Sequence, residues 1–197
     1  MPIAYIALGA NIPSPAGPPE ATLVAALERM APFARVLSRS QLYSTAPVGF
    51  ADQPRFVNAA VALETDLSPV ALLGALLLIE ADFGRDRSDS VPNGPRTLDL
   101  DVLLYEDFVV NGAILKLPHP RMAERAFVLV PLAEIAPEVS VVTLGVTVKQ
   151  LLHSLRNGLP SETDAILPLE SDRWNAAACG GVDLRADSGA PDPHPHG

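Results

Sequence analysis

Residues 94–105 read Gly94-Pro95-Arg96-Thr97-Leu98-Asp99-Leu100-Asp101-Val102-Leu103-Leu104-Tyr105. This is the clearest strand of the chain. Strand side chains alternate faces, so Leu98, Leu100, Val102 and Leu104 are expected to enter a core. Asp99 and Asp101 then share the opposite face, about 7 Å apart along the strand. Two carboxylates that close repel unless positive charge stands beside them. A divalent cation supplies that charge, and magnesium is commonly held by one or two carboxylates together with substrate phosphates. A bare Asp-x-Asp more often marks the solvated face of a half-buried strand, so the flanks decide the reading.

Arg96 stands on one flank, with Arg85 and Arg87 in the loop before it. On the other flank comes Pro118-His119-Pro120-Arg121-Met122, followed by Arg125. Taken singly, each arginine reads as a solvated surface residue and His119 as a structural histidine. Together they suit phosphate. A nucleoside triphosphate of about −4 and two aspartates, set against two magnesium ions, leave about −2 for arginines to neutralise. The guanidinium fork matches phosphate oxygens and can stabilise charge that develops during phosphoryl transfer. Other phosphate machinery is missing: the sequence has neither G-x-x-x-x-G-K-[ST] nor G-x-G-x-x-G. It also has no G-x-S-x-G elbow and no zinc-spaced Cys/His set.

Outward from this strand, Pro2–Leu8 reads as a first strand ended by a Gly9-Ala10-Asn11 turn. Glu20–Met30 reads as a helix with Leu23, Ala26, Leu27 and Met30 on one face. Val36–Tyr43 and Phe56–Glu64 read as strands. Ser68 caps a helix that opens with Pro69 and runs to Asp82, apolar on most sides and so expected to be well buried. Phe108–Val110 and Ile114–Leu117 flank an Asn111-Gly112 turn. Arg121–Ala136 reads as a helix broken at Pro131, Val139–Leu144 as a last strand, and Thr147 as the cap of a closing helix. The order β-α-β-β-α-β predicts an α+β, ferredoxin-like (split βαβ) antiparallel sheet with helices, plus a C-terminal extension.

At 197 residues with 48% hydrophobic content, the chain suits one domain and a tail, here residues 1–160 and 161–197. The formal net charge of −9 argues against a general nucleic-acid binder. The tail holds seven acids against two bases, is rich in Pro and Gly, and reads as largely disordered, most clearly over Asp183–Gly197. His194 and His196 read as part of that solvated tail. The single Cys179 can form no intrachain disulfide. The longest apolar run, Val70–Ile79, is half the roughly 20 residues of a membrane span. No basic leader opens the sequence. A soluble, cytoplasmic monomer acting on small molecules is expected, with no nucleic-acid or membrane partner.

The segments 94–105 and Pro118–Pro137 resemble the signature of the 6-hydroxymethyl-7,8-dihydropterin pyrophosphokinase family of folate biosynthesis. The resemblance extends from Ile3–Gly9 through Asp52–Val61 to about Leu155. It implies transfer of pyrophosphate from MgATP to the hydroxymethyl oxygen of the pterin, with release of AMP. It also implies two Mg2+ ions on Asp99 and Asp101, and Arg85 and Arg96 closing over the phosphates. These four residues are the catalytic set. Glu80, Val102, Leu115, Lys116, His119 and Arg125, with Arg85 and Arg96, match ATP-contacting positions. Phe56 and Phe127 match the positions that stack on the pterin. Asn58 matches its hydrogen-bonding amide, and Thr45 and Val48 match the pocket wall.

The sequence also departs from the family pattern. Asn93 stands where tryptophan often precedes Gly-Pro-Arg, the 85–97 loop is longer than a common form, Ala10 replaces a serine and Leu77 replaces a polar residue. The sole tryptophan, Trp174, lies in the extension. The altered loop motivates an alternative reading, a catalytically impaired nucleotide- or pterin-binding module.

Overall fold

A computed structural model of the chain describes residues 1–50, 52–86, 93–159 and 165–176. Its centre is β1 (Ile3–Ala10), paired antiparallel with β4 (Phe56–Glu64) on one side and β5 (Asp99–Tyr105) on the other. The outer edge of β4 carries two short strands, β2 (Arg35–Arg39) along its second half and β3 (Leu42–Thr45) along its first. A further strand, Leu167–Leu169, lies antiparallel on β3, so the sheet's main path runs from it through β3, β4 and β1 to β5. The fold is α+β, an antiparallel sheet with helices on both faces.

Alternation along the strands builds two cores. Ile6, Leu8, Val61, Leu63, Leu98, Leu100 and Val102 meet α1 (Pro19–Met30) and α2 (Pro69–Asp82) on one face. Ala60, Leu103 and Leu104 meet α3 (Ala126–Ile135) and α4 (Val148–Gly158) on the other. Both faces of β4 and β5 are therefore covered, which fits their near-continuous apolar runs. The α4 N-terminus is fixed by a capping box: Thr147 Oγ1 accepts from Gln150 N–H while the Gln150 side chain accepts from Thr147 N–H. Pro69 follows the Ser68 cap of α2, as expected.

Several sequence expectations are corrected. Leu104 does not share the Leu100 and Val102 face. A bulge where Tyr5 pairs with Leu104 but Ile6 with Val102 inserts Leu103 and moves Leu104 to the α3–α4 core. Gly9 does not turn the chain; β1 runs through it to Ala10. The expected strand over 36–43 divides at Ser40-Gln41, for a reason given below. Helix α2 buries Leu72, Leu76, Ile79 and Glu80 but leaves Leu78 71% exposed, because the sheet covers only one side of it. The break in 121–136 falls at Arg125, whose backbone is extended, between a 3₁₀ turn over Met122–Glu124 and α3. Pro131 sits inside α3, where Val128, Leu129 and Leu132 anchor the helix in the core. The final strand shrinks to β8 (Ser140–Val141), which pairs with β9 (Val146–Thr147). Residues 165–176, expected to belong to a largely disordered tail, form a strand and a short helix against the sheet and α1. Arg87, Cys179, His194, His196 and Asp183–Gly197 lie outside the described residues.

Candidate active site

The Asp-x-Asp pair lies on the β5 face expected from alternation. Asp99 pairs across with Gly9 of β1 and Asp101 with Ala7. Asp99 is held by two arginines: Arg85 Nη1 donates to Oδ1 at 2.5 Å and Arg96 Nη1 to Oδ2 at 2.6 Å. Burial pushes its pKa up, but the two guanidiniums outweigh that and hold the carboxyl below its ordinary range. Among the described residues, the cation paired with Asp101 is the more distant Arg125 Nη1, at 3.8 Å. Burial and then the Asp99 charge push its pKa up, against His119 and Arg125. The pair is thus electrostatically uneven, with one carboxylate compensated and the other short of positive charge.

His119 opens the segment after the paired strands β6 (Val110–Asn111) and β7 (Lys116–Leu117), its N–H donating to Leu103 O at 2.8 Å. Arg121 N–H donates to His119 Nδ1, so the hydrogen-bond pattern assigns the neutral ring's proton to Nε2. Burial lowers the His119 pKa, with Asp101 opposing.

Two concavities flank the pair. One, of about 480 Å³, takes Asp99 and Arg96 in its wall together with Phe56, Asn58 and Phe127. Thr45, Val48 and Arg125 line it too. The other, of about 310 Å³, takes Asp101, Val102, Leu115, Lys116 and His119. All five expected pterin residues therefore share the first cavity, while four of the expected ATP residues share the second with Asp101. Leu77, noted as a departure, lines that second recess. Glu80 and Arg85 line neither. Glu80 is buried beneath β5, and the Arg85 guanidinium bridges Leu98 O, Asp99 and, at 3.6 Å, Glu80.

Local chemistry explains the shape of the first cavity. Asn58 Nδ2 donates to Thr45 Oγ1 at 2.7 Å, joining β4 to β3. A Cβ at Gly9 would stand 2.7 Å from Asn58 Oδ1, so the glycine makes room for this carboxamide. Arg96 lies over the Phe56 ring at 5.1 Å and Arg125 over the Phe127 ring at 5.6 Å.

Two residues given no role by sequence reading knit the rim. Asn11 Oδ1 accepts from Arg96 N–H at 2.8 Å, and Asn11 Nδ2 donates to Gln53 Oε1 at 2.9 Å. Gln53 Nε2 in turn donates to Phe50 O and Asn93 O. Asn93 adopts positive φ, packed beside Gly49. The position that motivated the impaired-module reading is thus stitched to the 46–54 loop. Pro47, Gly49 and Pro54 mark residues 46–54 as a loop, but nothing in the sequence context of Gln53 points to its partners.

A family model described as 7,8-dihydro-6-hydroxymethylpterin-pyrophosphokinase (HPPK) matches residues 5–137. The chain belongs to this family. It is 49% identical over 154 residues to the 2-amino-4-hydroxy-6-hydroxymethyldihydropteridine pyrophosphokinase of Methylorubrum extorquens, covering 77% of this chain and 92% of that one. It is 48% identical over 134 residues to the enzyme of the same name from Pseudomonas aeruginosa, covering 68% and 80%. The HPPK-DHPS triple mutant of Plasmodium falciparum has a similar fold, with a TM-score of 0.69 at 15% identity, over 86% of this chain and 47% of that one. The impaired-module alternative is not favoured by membership at this level of identity. Among the described residues, no helix is long and apolar enough to cross a membrane.

Proposed function

We propose that this chain transfers pyrophosphate from ATP to the hydroxymethyl group of 6-hydroxymethyl-7,8-dihydropterin, releasing AMP, in folate biosynthesis. The observation that carries the reading is the straddling carboxylate pair. Asp99 faces a cavity with two aromatic rings and a carboxamide, and Asp101 faces an apolar recess edged by a lysine and a histidine. A flat heterocycle suits the first and a nucleotide the second. The strand order, with β4 between β1 and the β2–β3 edge, supports the ferredoxin-like split βαβ arrangement.

Phe56 and Phe127 stack on the pterin, Asn58 hydrogen-bonds its edge, and Thr45 and Val48 complete the wall. Val102, Leu115 and Lys116 receive the adenine and ribose, with His119 and Arg125 toward the phosphates. The pterin hydroxyl oxygen forms the new bond to the β-phosphorus as the bond from that phosphorus to the α-phosphate oxygen breaks. AMP leaves and the hydroxyl proton is lost. Arg85 and Arg96 exchange the Asp99 carboxylate for phosphate oxygens, neutralising charge on the transferring group. Glu80 acts through Arg85 and β5.

The donor set fits magnesium. Among the described residues, no cluster of three or more His, Cys, Asp or Glu side chains could hold a metal. Two carboxylates alone leave coordination to be completed by phosphate oxygens, the usual magnesium pattern. Asp99 and Asp101 would hold two ions, which when bound neutralise the triphosphate and orient it for in-line displacement. Small soluble substrates support a cytoplasmic location, and one copy of the chain contains every residue named, which supports a monomer.

The test is AMP release from MgATP with and without the pterin, repeated with EDTA. Pterin-dependent, EDTA-sensitive AMP without ADP is the expected result. ADP, or product without pterin, would overturn the reading.

A further inference from the structure

We propose that the C-terminal segment Ala165–Ala176 is a strap that completes the aromatic cavity, with Ile166 a specificity-determining residue for the heterocycle and Trp174 the positioning residue that pins the strap. The inference rests on reading that cavity as the pterin site.

The strap starts in the cavity wall, where Ala165 and Ile166 stand with Phe56 and Val48. It then runs antiparallel along the outer edge of β3, Leu167 opposite Ser44 and Leu169 opposite Leu42. Strand addition of this kind closes an edge that would otherwise expose unpaired backbone groups. Its far end is the helix α5 (Asp172–Ala176), packed on α1.

Both ends are fixed. At the cavity end, Arg55 donates to Ser44 Oγ, Ser44 O and Ala165 O at 2.8, 3.0 and 3.0 Å, tying the strap's first carbonyl beside Phe56. At the far end, Trp174 is 1% exposed within the α1–α2 core, and its Nε1 donates to Ser40 O at 2.8 Å. Arg39 covers the ring at 5.5 Å and donates to Asn175 O.

Ser40 is where the expected edge strand divides. Its hydroxyl, rather than its carbonyl, accepts from Ala60 N–H at 3.0 Å, which leaves the carbonyl for the indole. The strand break and the tryptophan dock are one device. Releasing Trp174 therefore loosens a segment whose other end walls the cavity.

The experiment measures pterin KM, ATP KM and kcat for Ile166→Ala and Trp174→Ala in the full chain. Asn58→Ala serves as the control for the cavity itself. Pterin KM should rise at least threefold in Ile166→Ala and at least tenfold in Trp174→Ala. ATP KM and kcat should stay within twofold, a split that general destabilisation would not produce. Because Trp174 is the only tryptophan, its emission reports docking and should be blue-shifted in the parent. If Trp174→Ala does not fold, the half-exposed Ile166 carries the test alone. Unchanged pterin KM in Ile166→Ala overturns the proposal. A raised pterin KM in Asn58→Ala alongside it shows that the cavity reading survives, and an unchanged one that both fall together.

Discussion

Glu80 Oε1 accepts the backbone N–H of Leu100 at 2.8 Å, from a side chain that is 2% exposed. Leu100 lies between Asp99 and Asp101 on an edge strand of the main sheet, so a helix carboxylate satisfies an outward donor that no strand meets. The same carboxylate faces Arg85, which grips Asp99. One buried acid thus sets both the strand that carries the aspartates and the guanidinium between them. Glu80→Leu should strand the Leu100 N–H and cost about 2–3 kcal/mol. Glu80→Gln keeps an acceptor and should lose clearly less. Urea unfolding of the two variants measures the difference, and equal stability would remove this role.

Gln53 joins loops distant in sequence, receiving from Asn11 and donating to Phe50 O and Asn93 O. The side chain is not deeply buried, so Gln53→Ala should change stability by less than about 1 kcal/mol. The same lost contacts should loosen the cavity rim and raise pterin KM roughly two- to tenfold. Steady-state kinetics beside thermal melts test this. A fall in melting temperature without a change in KM would make Gln53 merely structural.

The sequence was legible where one periodicity ruled. Phe56–Glu64 and Pro69–Asp82 appear with the expected bounds, and Asp99 and Asp101 share a face as alternation requires. It was least legible where a long-range partner replaces a local signal. The Ser40 break is where Trp174, 134 residues away, finds its acceptor, and residues 167–169 pair with the free edge of β3. Neither partner leaves periodicity in the segment it fixes. Leu104 changed faces because of a one-residue bulge, which alternation alone cannot register. At the site, residue types announced phosphate chemistry and the aromatic positions came only with the family resemblance, while the Asn11–Gln53–Asn93 network depends on loop geometry.

Asp99→Asn keeps the side chain's shape and removes its charge. The core face of β5 is untouched, so the fold should persist, with near-parental circular dichroism. Arg85 and Arg96 lose the carboxylate that orients them, and the proposed magnesium site loses a ligand. Turnover should fall at least about 100-fold, as for loss of a preorganised electrostatic group. AMP release at saturating MgATP measures it, and near-parental kcat would remove Asp99 from the metal site.

Tyr43 donates to Glu134 Oε2 at 3.0 Å, joining β3 to α3. Burial first, then that hydrogen bond and the Glu134 charge, push its pKa up to about 12, against Arg156. The unfolded tyrosine loses its proton near 10. Between about 10 and 12 the unfolded state therefore binds fewer protons than the native state, and stability falls as pH rises. The contribution is fully present below 10. Tyr5 and Tyr105 are also raised, chiefly by burial, and act in the same direction. Phenolate absorbance of the folded protein should lag free tyrosine, and Tyr43→Phe should flatten the alkaline loss of melting temperature. Phenolate appearing near 10 for all three tyrosines in the folded protein, with the parental alkaline slope kept in Tyr43→Phe, would break the link between β3, Glu134 and alkaline stability.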